Sequence, residues 1–135
     1  MLVDQGLEIL SEEICLELLR REEVGRIAVS VAALPAIFPV NYRLIDGDVM
    51  FLTGDGIKAN AAIEGNVVGF EVDHIDPESR TGWSVLIVGQ ARLVGASERA
   101  AMGDLDLSPW AGGFKSHLVR IHPEFISGRR IPGRI

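Results

Sequence analysis

The sequence has one cysteine among 135 residues, three histidines, 6% aromatic residues and no apolar run near the ~20 residues that a membrane-spanning helix needs. A single thiol rules out an internal disulfide framework and fits a reducing compartment. Cys15 lies in an apolar helical pattern, where a buried structural thiol is expected rather than a nucleophile. Basic residues are outnumbered, 13 to 19, giving a net charge of −6. The positive field that binds nucleic acid is therefore missing, and Arg129, Arg130 and Arg134 are too few to supply it. The first residues carry no basic stretch followed by an apolar one, so no secretion leader is expected and the location expected is cytoplasmic. There is no Gly-Lys-Ser/Thr phosphate loop, no Gly-x-Ser-x-Gly nucleophile elbow and no internal repeat.

What is present is 47% hydrophobic residues and 15 glycines. This suits one domain over residues 1–135, large enough to fold without staples. Ser11 opens a helix, with Glu12 and Glu13 at its positive end and Arg20 and Arg21 at its negative end; Gly25 is expected to close it. Leu10 and Cys15 have the spacing of a hydrophobic staple. Strand patterns then dominate. Arg26 to Val31 alternates, as do Ala36 to Leu44 and Val67 to Ile75. Asp46-Gly47 marks a two-residue hairpin. Trp83 to Val94 is apolar on both faces around Gly89, which suits a strand bent round a closed barrel or covered by a partner. Ser97 starts a short helix, Lys115 to Ile121 is a last strand, and Ile126 to Ile135 reads as a basic tail. About six hairpin-linked strands with few short helices predict a mainly β fold, a small antiparallel barrel. Pro39 cannot donate to a ladder, which places it on an edge or a bulge and frees backbone for a ligand.

Chemistry concentrates at Phe51-Leu-Thr-Gly-Asp-Gly-Ile-Lys58. A strand ends in Thr53; two glycines, Lys58 and a short helical pattern, Ala59 to Glu64, follow. Hydroxyl, free N–H groups, a helix start and an ammonium together favour a phosphate. Gly54-Asp-Gly56-Ile-Lys-Ala59 matches the dinucleotide fingerprint formally, with Asp73 about twenty residues on. The preceding hairpin argues against the βαβ unit which that fingerprint requires. Glu71, Asp73, His74 and Asp76 look like metal ligands on paper, but His74 points away from Glu71 and Asp73. A solvated strand end is the better reading, and no metal is expected. His117 and His122 have opposite parity and no nucleophile beside them. Trp83-Ser84 and Trp110 could flank a planar ligand or simply pack.

Taken together, Val24-Gly-Arg-Ile-Ala-Val29, Leu34-Pro35, Phe38-Pro-Val-Asn-Tyr42 and Phe51-x-Thr-Gly-x-Gly-x-Lys58 resemble the pyridoxamine 5′-phosphate oxidase-like flavoproteins. The branch resembled includes nitroimidazole-resistance proteins. Val68 to Asp76, Gly82 to Gly89 and Gly128-Arg-Arg130 extend the likeness over nearly the whole chain. The resemblance implies a six-stranded FMN-binding split barrel that forms a homodimer, with flavin at the interface, and an oxidoreductase acting on a small-molecule substrate. It places Pro39, Val40, Asn41 and Tyr42 along the ring edge through backbone groups, and Thr53, Gly54 and Lys58 at the phosphate. Trp83 and Ser84, and Trp110 with them, would come from the other subunit. Leu52 and Ile57 are apolar where relatives carry basic and hydroxyl residues, and Asp55 adds a negative charge. Lys58 and backbone then hold the phosphate, and the deazaflavin F420 stands as the alternative to FMN. A carrier that binds its cofactor without turnover is the alternative to an enzyme. Catalytic residues are not identified.

Overall fold

Alternating apolar residues place Ile27 and Val29, Phe70 and Val72, and Val85 and Ile87 on one side of their strands, and all six are buried. The computed structural model describes residues 3–54, 65–107 and 117–133, and every structural statement below concerns these. In chain order the elements are β1 (Val3–Asp4), β2 (Leu7–Leu10), α1 (Glu12–Leu19), β3 (Val24–Val31), β4 (Leu34–Ile45), β5 (Asp48–Thr53), β6 (Val67–Asp76), β7 (Thr81–Leu93), α2 (Ala96–Met102), β8 (His117–Ile121) and β9 (Phe125–Ile131).

Six strands close a ring in the order β3, β4, β5, β8, β7, β6, each antiparallel to its neighbours. This is the small antiparallel barrel expected, with two short helices among the described residues. The ring closes because β7 serves two partners along one edge. Gly82 to Val88 pairs with β9, and Ala91 to Leu93 pairs with β8. The change falls at Gly89, where any Cβ would run into the carbonyl of His122 as the chain crosses from β8 to β9. That close approach requires glycine.

Two expectations are corrected. The stretch from Ile126 onward is not a tail: β9 hydrogen-bonds to β7 on one edge and to β2 on the other. Its Ile126, Gly128 and Arg130 alternate with Ser127 and Arg129, a strand signal masked by three nearby arginines. Gly25 does not close α1, which ends at Leu19. It lies inside β3, where a side chain would occupy the space of the Phe70 ring. The start of α1 is as expected: Ser11 Oγ accepts the N–H of Ile14 at 3.3 Å. Leu10 and Cys15, the staple pair, are buried against Gly128 of β9. The Asp46-Gly47 hairpin has both residues at positive φ, 52° and 82°, as a type I′ turn demands. Among the described residues no helix is long and apolar enough to cross a membrane.

Candidate functional site

The barrel wall parts between β4 and β5. Their pairing runs only from Ile45–Asp48 to Tyr42–Phe51. Beyond it β4 continues to Leu34 paired with β3, while β5 continues to Thr53 paired with β8. Leu34 to Val40 therefore has one edge with no strand neighbour among the described residues. Backbone groups on such an edge need another partner. Pro39 lies within it and contributes no donor. Thr53 and Gly54, both half-buried, stand on the opposite lip. Lys58 and the rest of the predicted phosphate loop fall outside the described residues, as does Trp110.

Parity divides the remaining predicted residues. Val40 packs against the core, and Tyr42 is buried. The Tyr42 hydroxyl donates to the Leu19 carbonyl at 2.6 Å, and its ring meets Phe70 edge-on at 5.0 Å. Burial, reinforced by the charge of Glu22, raises the phenol pKa and keeps it protonated. Trp83 also packs on the core of its own chain. Pro39, Asn41 and Ser84 point to the outside of the barrel. The structure thus brings three of the predicted residues onto one outer face and turns three inward, which leaves those three only their backbone to offer there.

The register shows what else occupies that outer face. Pro39 lies opposite Arg26, Arg26 opposite Glu71, Glu71 opposite Leu86 and Leu86 opposite Ser127. One step toward the site, Asp73 lies opposite Ser84, and Ser84 opposite Arg129. One step away, Ile37, Ala28, Gly69, Val88 and Phe125 form an apolar row. Directly opposed residues project to the same side, so these rows are side-chain neighbours. Arg26 Nη1 reaches Glu71 Oε1 at 3.5 Å and Asp73 Oδ2 at 3.4 Å. Burial and the adjacent Asp73 push the Glu71 carboxyl up to about 7, against the opposing pull of Arg26. The sequence reading of Glu71 and Asp73 as a solvated strand end is corrected: their side chains are only 34% and 30% exposed. The signal was available in the alternation of Glu71 and Asp73 with buried Phe70 and Val72, but it needed Arg26 from a distant strand. His74, on the opposite parity, reaches Glu22 instead, at 3.2 Å.

A cleft of about 900 Å³ opens beside this face, lined by the α1–β3 turn and by Arg26, Asn41, Tyr42, Arg43, Asp73 and Asp106. Its charges are largely paired. Arg43 reaches Asp106 at 3.0 Å, and Arg21 of the turn reaches Glu17 at 3.0 Å. A second polar cluster lies elsewhere, outside β5 and β8. Arg120 donates to Asp48 and to Glu98, each at 2.7 Å, Arg92 holds Glu98 at 3.1 and 2.9 Å, and His122 Nδ1 lies 2.7 Å from Asp48. This network joins β5, β7, β8 and α2 at the seam of the ring.

Comparison with known proteins supplies the remaining observation. A family model described as pyridoxamine 5′-phosphate oxidase matches residues 11–130. The chain is similar to uncharacterized protein Rv0080 of Mycobacterium tuberculosis, 38% identical over 127 residues, covering 90% of this chain and 84% of that one. Among solved structures it is similar to a FAD binding protein from Mycobacterium smegmatis, 38% identical with a TM-score of 0.79, covering 95% of this chain and 99% of that one. It is also similar to a conserved protein of unknown function from Corynebacterium diphtheriae, 35% identical with a TM-score of 0.77, covering 93% and 98% of the two chains.

Proposed function

The chain belongs to the pyridoxamine 5′-phosphate oxidase family, and from that premise we propose that it is a flavin-dependent oxidoreductase working as a homodimer on a small-molecule substrate. The observation that carries the reading is the edge of β4 from Leu34 to Val40, which has no second strand neighbour among the described residues and faces Thr53 and Gly54 across the parted wall. A flavin ring presents carbonyl and N–H groups along one side and a phosphate at the end of its tail. An open strand edge answers the first; a hydroxyl, a glycine backbone and a lysine answer the second. Pro39, Val40, Asn41 and Tyr42 would hold the ring edge, and Thr53, Gly54 and Lys58 the phosphate. The flavin, when bound, supplies the electron transfer; the protein supplies placement and a polarised surround. Arg26 and Arg129 lie on the outer face beside Asn41 and Ser84, where Arg26 is bridged to Glu71 and Asp73. Trp83 and Ser84 of a second copy would close the site.

A homodimer is supported by the apolar half of the outer face. Ile37, Val67 and Phe125 are 69%, 64% and 61% exposed. Ala28, Gly69 and Val88 leave a low, flat surface between them. Such a patch is characteristic of an interaction site, and a second copy covers both patches at once.

FMN is the form proposed, because the loop provides for one phosphate; the Mycobacterium smegmatis relative is described as binding FAD. The test is the visible spectrum and mass of what copurifies, followed by titration with FMN, FAD and F420. Flavin absorbance and micromolar binding of FMN are expected. Binding of FAD or F420 alone would reassign the cofactor, and binding of none would sink the proposal. Lys58→Ala should weaken FMN binding by about 1.5–3 kcal/mol, the range for a charge-assisted hydrogen bond. The second reading, a carrier without turnover, is favoured by Asp55 beside the phosphate loop. Anaerobic mixing with nicotinamide nucleotides and a quinone or nitro-compound panel separates the two, since a carrier binds flavin and turns over none.

A further inference from the structure

Glu71 stands on the boundary of the outer face. Toward one end its neighbours are the apolar row of Ala28, Gly69 and Val88; toward the other, Asp73. Across the strands it meets Arg26 on β3 and Leu86 on β7. Two carboxylates share one guanidinium, so with both ionised the cluster carries one uncompensated negative charge. The other charged groups near it are few. Arg129 projects to the same face from β9, opposite Ser84. Glu22 and Glu23 line the neighbouring cleft from the α1–β3 turn. β4 offers only Pro39 across from Arg26. Neither partner of Arg26 is exposed enough to be hydrated as freely as a surface carboxylate.

We propose that two copies of this chain take up protons at Glu71 when they associate, so that the dimer is tightest below neutral pH and loosens above it. This rests on the reading of the apolar half of this face as the homodimer contact. A second copy seated on Ala28, Gly69 and Val88 strips water from Glu71, which lies at the contact's margin. Removing water penalises the ionised form while Asp73 stays beside it. In the single chain the carboxyl already titrates at about 7, so further burial moves it upward, into the range where pH decides association. The dimer then binds more protons than two monomers, and affinity falls as pH rises through the monomer's value. Each dimer contains two such carboxyls related by the twofold axis, so the effect is doubled.

Sedimentation equilibrium of the full chain, at constant ionic strength between about pH 6 and pH 8.5, tests this. The dimer dissociation constant should rise by at least about tenfold across that interval, toward a limit of about a hundredfold per pH unit if both carboxyls must be protonated. Glu71→Gln, nearly isosteric and always neutral, should dimerise as tightly as the parent at the acid end and keep that affinity at the alkaline end. Asp73→Asn removes the neighbour that holds Glu71 up and should shift the fall in affinity to lower pH. A dimer whose constant is flat with pH, or a Glu71→Gln protein that keeps the parent's slope, overturns the proton uptake and leaves the dimer standing. A monomer at every pH and concentration overturns both.

Discussion

At the scale of single residues, the outer-face carboxyl and the buried phenol make opposite demands on solvent. Glu71 is harder to ionise in the fold than in an unfolded chain: its pKa rises from 4.5 to about 7. Between those values the folded state holds the extra proton, so this group's contribution to stability falls as pH rises and is lowest above about 7. Urea denaturation should show Glu71→Gln more stable than the parent at pH 8 and equal to it near pH 4. The difference should be no more than about 1 kcal/mol, because solvent screens a side chain a third exposed. Tyr42 is a different case. Its hydroxyl satisfies the carbonyl of Leu19, the last residue of α1, inside the core. Tyr42→Phe leaves that carbonyl without its donor and should cost about 1–2 kcal/mol in the same assay. Gly25→Ala should cost about 1–3 kcal/mol, the penalty of overpacking, since its methyl would displace the Phe70 ring from Tyr42.

At the scale of elements, period and turn chemistry made most strands readable. The apolar alternation of β3, β4 and β6 and the Asp46-Gly47 turn are local signals, and the structure follows them. The β9 strand was not readable in the same way: its hydrogen-bond partners are β2 and β7, far away in the chain, and its arginines suggested a solvated tail. The site shows the same division. Pro39 declared an open edge by its own chemistry, whereas Arg26, Glu71 and Asp73 become one cluster only when β3 pairs with β6. One turn departs from its usual sequence. Ala32 and Ala33, joining β3 to β4, have φ of 51° and 65°, a left-handed conformation that alanine adopts only at a cost. Replacing them with Asn-Gly should raise stability by about 1 kcal/mol, seen as a higher urea midpoint; no gain would mean the turn relaxes in solution. The Asp48 network belongs to this scale too. Asp48→Asn leaves Arg120, 19% exposed at its side chain, with a weakened partner across the β5–β8 pairing. A loss of about 2–3 kcal/mol is expected, below the range for a fully buried pair.

At the scale of the whole molecule, a ring of six strands has been given an open seam on one side and a double-duty strand on the other. The open seam is the proposed flavin edge; the flat face beside it is the proposed seat of the second copy. Ligand and partner both bind only the folded form, so added flavin should raise the thermal midpoint, and dilution should lower it. The double-duty strand has a consequence of another kind. The two neighbours of β7 along that edge, β8 and β9, are the last described segments of the chain, residues 117–131. During synthesis the earlier strands leave the ribosome before either arrives. The nascent chain must wait, with β5 and β7 uncovered along their edges, until residues 117–131 emerge to finish them. A chain cut short before residue 117 would leave those edges bare and yield a sticky half-cylinder rather than a smaller working protein.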